Sequence, residues 1–352
     1  MLFLPFKDLR SAGILFASLW AALTLVSYAG KARLLAFLPA VFRLPDTARF
    51  RKVMTVLIPA VFLVLPFFMQ DYYLDVLVMF GIYALLAMGL NVIVGTAGLL
   101  HLGFVAFYAI GAYTYAILNT RFGLGFWTCL PISAVFSCVA GALLAAPALR
   151  LRGDYLAIVT LGFGEIAHMT LGNWSSLTNG PNGIIGIAPP AGLSFGRLDR
   201  FYYLVFAAVL FTAGVIRRVE DSRLGRAWLA IKDDEIAAST MGINTTKYKL
   251  FACAFGSFWA GVAGVLFAAK MRFVSPESFT FMESALILCM IILGGLGNTY
   301  GAVMGAFILV LLPEALREFQ TYRMLVLGVG IVLMMLYRPQ GILGGGSAAA
   351  RN

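Results

Sequence analysis

Apolar residues run through this chain in blocks long enough to cross a lipid bilayer, separated by short polar connections. The blocks fall near Ser11–Ala29, Val53–Met69, Leu74–Val94, Phe104–Leu118, Trp127–Leu149, Tyr155–Leu171, Phe201–Ile216, Tyr248–Ala269, Phe281–Leu293, Ala302–Pro313 and Met324–Tyr337. A hydrocarbon core needs about 20 apolar residues of helix, and lipid offers no partner to an open backbone group, so each block reads as a helix. The pattern predicts an all-α fold, a polytopic membrane helix bundle of about 10–11 transmembrane segments. Leu34–Phe42 is too short to span and reads as lying at the interface.

Glycine interrupts this pattern at three places. Between Val94 and Phe104 the sequence GTAGLLHLG sets three glycines and His101 at membrane depth. Irregular backbone there is tolerated only under a cover of protein or around a cavity, so the stretch predicts a broken helix on a substrate route. Gly162 and Gly164 mark a second weak point, and Gly294, Gly295, Gly297 and Gly301 a tight turn between two spans. Gly111, Gly261 and Gly264 are expected instead to let helices approach closely. Residues 172–200 form the longest outward connection, rich in Gly, Pro, Asn and Ser, and read as a flexible lid or a docking site.

The densest charge lies between Arg217 and Lys249, RRVEDSRLGRAWLAIKDDEIAASTMGINTTKYK. Ala227, Trp228, Leu229 and Ile231 make one short apolar turn. Asp233 or Asp234 is placed to cap a second helix, Glu235 suits its positive end, and Gly242 stands where a left-handed helix stop is expected. A merely solvated loop has no need of capped, amphipathic helices. The stretch therefore predicts two short helices presenting a docking surface.

Composition narrows the class. Of 352 residues 61% are hydrophobic and only 12% charged, which excludes a soluble protein with one large core. The net charge of +10 is not a nucleic-acid footprint, because no basic patch is interleaved with stacking aromatics. Counting Lys and Arg on alternate sides of the predicted spans puts 17 of the 26 on one side and 9 on the other. The richer side faces the cytosol, so 217–249 and the C-terminus are cytosolic and the N-terminus is outside. Residues 1–52 read as an N-terminal extension with a retained span, not a cleaved signal, and a basic cytosolic connection. Residues 53–343 form the main membrane domain and 344–352 a disordered tail. Cys129, Cys138, Cys253 and Cys289 sit in apolar runs as reduced packing residues, with no metal-ligand spacing.

No catalytic constellation, cofactor motif or phosphate-cradling Gly-x-x-x-x-Gly-Lys is present. Ionisable and polar groups at membrane depth are instead candidates for a substrate pathway: Asn91, His101, Phe104, Glu165, His168, Glu283 and Ser284. Glu165 and His168, three apart, share a helix face and are placed to pair. A polar lining for an ammonium group and a structural ion pair both fit these residues. An ion-coupled secondary transporter and a channel are rival classes, and neither has use for an inward docking stretch.

Several long strings resemble one family. LRLRGDYLAIVTLGFGEI (149–166), LTNGPNGI (177–184), GRAWLAIKDDEIAASTMGI (225–243), FVSPESFTFMESA (273–285) and YRPQGIL (337–343) look like the LivM-type permease of branched-chain amino acid ABC importers. GLLHLGFVAFYAIGAY (98–113) and LGFWTCLPI (124–132) fit the same family, and the likeness covers about residues 70–343. The resemblance implies a bacterial inner-membrane permease subunit for branched-chain and hydrophobic amino acids (leucine, isoleucine, valine and, at the edge of the class, phenylalanine), with urea or amide permeases carrying closely similar strings. It implies as partners a LivH-like permease, two ABC ATPase subunits and a periplasmic amino-acid-binding protein. Importer permeases carry a cytosolic EAA-then-glycine pattern that inserts into the ATPase. Here Ile236, Ala237, Ala238 and Gly242 occupy that spacing, and the glutamate stands one position early, at Glu235. Arg226, Trp228, Asp234, Glu235, Ala237, Ala238 and Gly242 are the coupling residues so implied, with Trp228, Glu235 and Gly242 expected to make the contact.

Overall fold

The computed structural model describes residues 71–148, 153–190 and 198–315, with isolated positions at 62, 63, 66, 328, 329, 332, 336, 341 and 342. The chain divides into two compact units, Met1–Phe68 and Met69–Asn352, and the second is described below. The expected extension 1–52, the tail 344–352 and the span Ser11–Ala29 lie outside the described residues, as do nearly all of Val53–Met69 and Met324–Tyr337.

Every apolar block between Leu74 and Pro313 folds as a helix. In order these are Asp71–Leu90 (α1), Val105–Phe122 (α2), Phe126–Ala148 (α3), Asp154–Asn173 (α4), the short Ser175–Thr178 (α5), Leu198–Glu220 (α6), Arg223–Asp233 (α7), Glu235–Thr240 (α8), Thr245–Met271 (α9), Phe281–Gly294 (α10) and Thr299–Ala315 (α11). Among the described residues six helices are long and apolar enough to cross a membrane: α1 with its extension to Thr96, α3, α4, α6, α9, and α10 with the turn before it. Helix α2 ends in the polar turn Asn119–Arg121, and α11 is shorter.

Helices α1 and α9 form the centre. Of an 18-residue apolar stretch in each, 83% is buried in α1 with its extension and 72% in α9, against 17% in α4 and 22% in α6. Lipid is as apolar as leucine, so helices associate by close packing and polar contacts, not by escape from water. The expected packing glycines serve that end: a Cβ at Gly264 would stand 2.3 Å from the Tyr108 carbonyl oxygen, and one at Gly111 would stand 2.5 Å from Gly261 Cα. Ser137 adds a hydrogen bond to the Phe107 carbonyl at 3.0 Å, tying α3 to α2.

The glycine interruptions separate into three different outcomes. After α1 the backbone widens into a π-helix over Asn91–Thr96 and then runs without regular structure to α2, as the GTAGLLHLG pattern predicts. The cluster at Gly294–Gly301 is indeed a turn, with positive φ at Gly295 and Gly297. Gly162 and Gly164, by contrast, do not interrupt α4, which is continuous from Asp154 to Asn173. Gly164 is there for close approach: its Cβ would lie 3.0 Å from Gly103 Cα in the neighbouring break.

The first part of the long connection after α4 is fastened at both edges. Ile184–Ile185 (β1) pairs antiparallel with Phe273–Val274 (β2), Ile184 opposite Val274. Tyr115 donates its hydroxyl to the Ala188 carbonyl at 2.6 Å, Asn119 accepts from the Ala188 N–H at 2.7 Å, and Arg121 donates to the carbonyls of Ser176 and Leu177. Up to Ala188 this is a cap seated on the end of α2.

Candidate functional site: the short helix pair and the broken span

The helix pair is built by its caps. Ser222 opens α7, its hydroxyl accepting from Leu224 N–H at 3.1 Å, while Gly225 fits where a Cβ would strike the Glu220 carbonyl oxygen at 2.2 Å. Asp234 closes α7 in extended conformation and caps α8, its carboxylate accepting from the N–H groups of Ile236 at 2.8 Å and Ala237 at 3.0 Å. Of the two aspartates it is Asp234 that caps. Gly242 follows at φ 85°, with open space around it, so the left-handed backbone and not crowding calls for glycine. Asn244 then caps α9 by accepting from Lys247 N–H at 3.1 Å.

Trp228 turns inward. It has no exposed surface, donates Nε1–H to the Tyr248 carbonyl at 2.8 Å and lies against Phe255. The expectation that Trp228 itself touches a partner therefore gives way to a different part: it anchors α7 to α9. Ala238 is also buried. Arg226, Ala237, Ile236, Met241 and Gly242 face outward, with Ile236 65% and Met241 83% exposed. Glu235, one position early against the family pattern, forms an ion pair of 2.6 Å with Lys249, whose side chain is only 8% exposed. That pair holds α8 to the foot of α9.

The broken span gathers some pathway candidates and leaves others apart. Asn91 accepts from Gly297 N–H at 2.9 Å, binding the π-helix to the α10–α11 turn. Thr160 accepts from Leu102 N–H at 3.1 Å, and Ser284 accepts from Val105 N–H at 3.0 Å. Side chains thus satisfy amides that the lost helix leaves open. The break is tied to Gly297 at one end and Ser284 at the other, so it runs past about 15 Å of α10 at 1.5 Å per residue. His101 is buried beside Phe104 and Phe107, ring centroids 6.4 and 5.4 Å away. Neither of its ring nitrogens meets a hydrogen-bond partner among the described residues. Glu283 accepts from the Tyr83 hydroxyl at 2.8 Å, next to Ser284. Asn91, His101, Phe104, Ser284 and Glu283 therefore line up along the break. Glu165 and His168 do not join them: both stay on half-open α4, and no ion pair, the structural alternative of the two, forms between them.

Sequence reasoning missed Thr160, Tyr83, Lys249 and Lys232. The last stands at the end of α7 and donates from Nζ to the Gly95 carbonyl at 2.7 Å. Nothing along the sequence connects positions 137 apart.

Known proteins resemble this chain over most of its length. Residues 72–335 match the family described as the permease component of branched-chain amino acid transport systems. The chain is 48% identical over 303 residues to the high-affinity branched-chain amino acid transport system permease protein LivM of Salmonella typhimurium, covering 79% of this chain and 71% of that protein. Against LivM of Escherichia coli the identity is 47% with the same coverage. The LivH permease of Escherichia coli is 29% identical over 288 residues, covering 74% of this chain and 91% of that protein. No solved structure matches the chain.

Proposed function

The chain belongs to the permease-component family of branched-chain amino acid transport systems, and on that premise we propose how it works within an ATP-driven importer. It forms the membrane path for leucine, isoleucine and valine together with a second, LivH-like permease. Two ABC ATPase subunits hydrolyse ATP on the cytosolic side of the bacterial inner membrane, and a periplasmic amino-acid-binding protein delivers substrate outside.

The observation that carries this reading is the cytosolic pair, capped by Asp234, stopped by Gly242 and exposing Ile236 and Met241. Exposed apolar side chains on a rigid, capped turn are what a protein groove receives. Arg226, Asp234, Glu235, Ala237 and Gly242 shape that contact, while Trp228 and Ala238 pass its displacement to α9. A nucleotide can shift the equilibrium between inward- and outward-open states only through differential binding to the two, so the coupling residues need contact and not chemistry. Inside the membrane, Asn91, His101, Phe104, Glu283 and Ser284 border the route, and Glu165 and His168 sit on a helix face left open for the second permease. A mostly apolar route with few polar groups suits a zwitterion carrying an aliphatic side chain.

The test is uptake into vesicles holding both permeases and both ATPases, with the binding protein outside, across leucine, isoleucine, valine, phenylalanine and urea. ATP-dependent accumulation of the three branched-chain amino acids is expected. Accumulation of urea alone, or uptake that persists without the ATPases, would overturn the reading.

A further inference from the structure

Lys232 stands at the end of α7, where the helix pair meets the broken span; the residue is exposed as a whole, and its stem turns back so that the ammonium end reaches the membrane domain. Its ammonium donates to the Gly95 carbonyl at 2.7 Å, near the end of the π-helix. Carbonyls in the last turn of a helix have no partner further along, and a cation there also meets the negative end of the helix dipole.

The surrounding backbone is shaped to admit this side chain. A Cβ on Gly98, at φ 73°, would press on Lys232 Cγ at 3.0 Å. A Cβ on Gly297, at φ 83°, would stand 3.0 Å from the Gly95 carbonyl oxygen and 3.6 Å from Lys232 Nζ. Asn91 closes the arrangement by accepting from Gly297 N–H at 2.9 Å. One lysine stem thus passes among Gly95, Gly98 and Gly297 and joins α7, the π-helix and the α10–α11 turn. Nearby, the end of α6 is tied to the start of α11 twice: Thr299 donates its hydroxyl to Glu220 at 3.0 Å, and Arg217 donates to the Tyr300 hydroxyl at 2.9 Å.

We propose that Lys232 is a positioning residue for transport, the strut through which movement of the cytosolic pair reaches the π-helix and opens or closes the broken span. The proposal rests on the importer reading above. A π-helix holds one extra residue per turn, and a segment that is already unwound can change register at less cost than a regular helix. The strut acts on the π-helix that follows α1, at Gly95. It differs in kind from the outward face of the pair: Lys232 takes no part in gripping the ATPase and acts only after the grip.

The test compares K232M and K232R with wild type in the complete complex, reading leucine uptake, ATP hydrolysis and retention of the ATPases on purification. K232M is expected to lower uptake at least tenfold while the ATPases remain bound and hydrolysis stays within twofold of wild type. K232R, which keeps a charged donor on a long stem, is expected to retain at least half of wild-type uptake. Uptake by K232M within twofold of wild type would overturn the proposal. So would loss of uptake together with hydrolysis or ATPase retention, or a K232R protein as inactive as K232M. Failure of the importer reading shows separately, as a wild-type complex without ATP-dependent uptake.

Discussion

Helices α7 and α8 are neighbours in the chain, yet they meet the rest of the molecule in opposite ways. Helix α7 buries Gly225, Ala227, Trp228 and Ile231, and its exposed Lys232 reaches back with its ammonium to the Gly95 carbonyl. Helix α8 buries Ala238, turns Ile236 and Met241 outward, and is held by a cap at Asp234, an ion pair at Glu235 and a left-handed stop at Gly242. One helix is moored and the other is presented. A force transmitter needs both: a presented helix without mooring would slide over the membrane domain, and a moored helix without presentation would have nothing to push against.

The sharpest way to break the comparison is at the mooring. Trp228→Ala removes a fully buried indole and its hydrogen bond to the Tyr248 carbonyl, a loss of about 3–5 kcal/mol on the scale of large buried truncations. Thermal unfolding of the purified complex should shift down, and the ATPases should be lost on purification. A variant as stable as wild type would mean that α7 is not moored there.

A smaller effect is expected from the ion pair. Glu235→Gln leaves the nearly buried Lys249 ammonium without its counter-charge, at a cost of about 1–3 kcal/mol. The double variant E235Q/K249M removes both charges and should recover part of the loss in stability and uptake. If the double variant is worse than the sum of the single ones, the pair is not what fastens α8.

Gly242 offers the finest discrimination, because backbone and not space sets the requirement there. Gly242→Val forces a β-branched residue into the left-handed region, a strain of roughly 1–2 kcal/mol. Uptake should fall about tenfold by that strain, with membrane insertion intact. Gly242→Asn, which tolerates this conformation, should be much milder. Equal activity of the Asn and Val variants would show that chain geometry after α8 is irrelevant.

Much of the fold was legible because hydrophobic length alone dictates where helices cross. Boundaries were less so: the apolar run ends at Ile216, whereas α6 continues through the charged turn to Glu220, since Arg, Val and Glu carry a helix on until Asp221 and Ser222 stop it. Glycine was ambiguous for a physical reason. It permits a break at Gly95–Gly103 and close packing at Gly164, and only the neighbour decides which. In the site, the caps were readable because Asp234 and Gly242 act on their own backbone. The direction in which Trp228 points, the Glu235–Lys249 pair and the Lys232–Gly95 bond depend on which helices pack together, which local pattern does not encode.

The central claim is that a nucleotide-hydrolysing subunit grips α8 while α7 stays anchored inside. Single cysteines at Ile236 and Met241 test it most directly, since none of the four native cysteines is fully exposed. In membranes carrying the complete complex, a short thiol cross-linker should join both introduced cysteines to the ATPase subunit, with a yield that changes when ATP is added. If neither position cross-links to that subunit, and both label with a soluble thiol reagent equally fast with and without it, α8 is not the grip and the account is wrong.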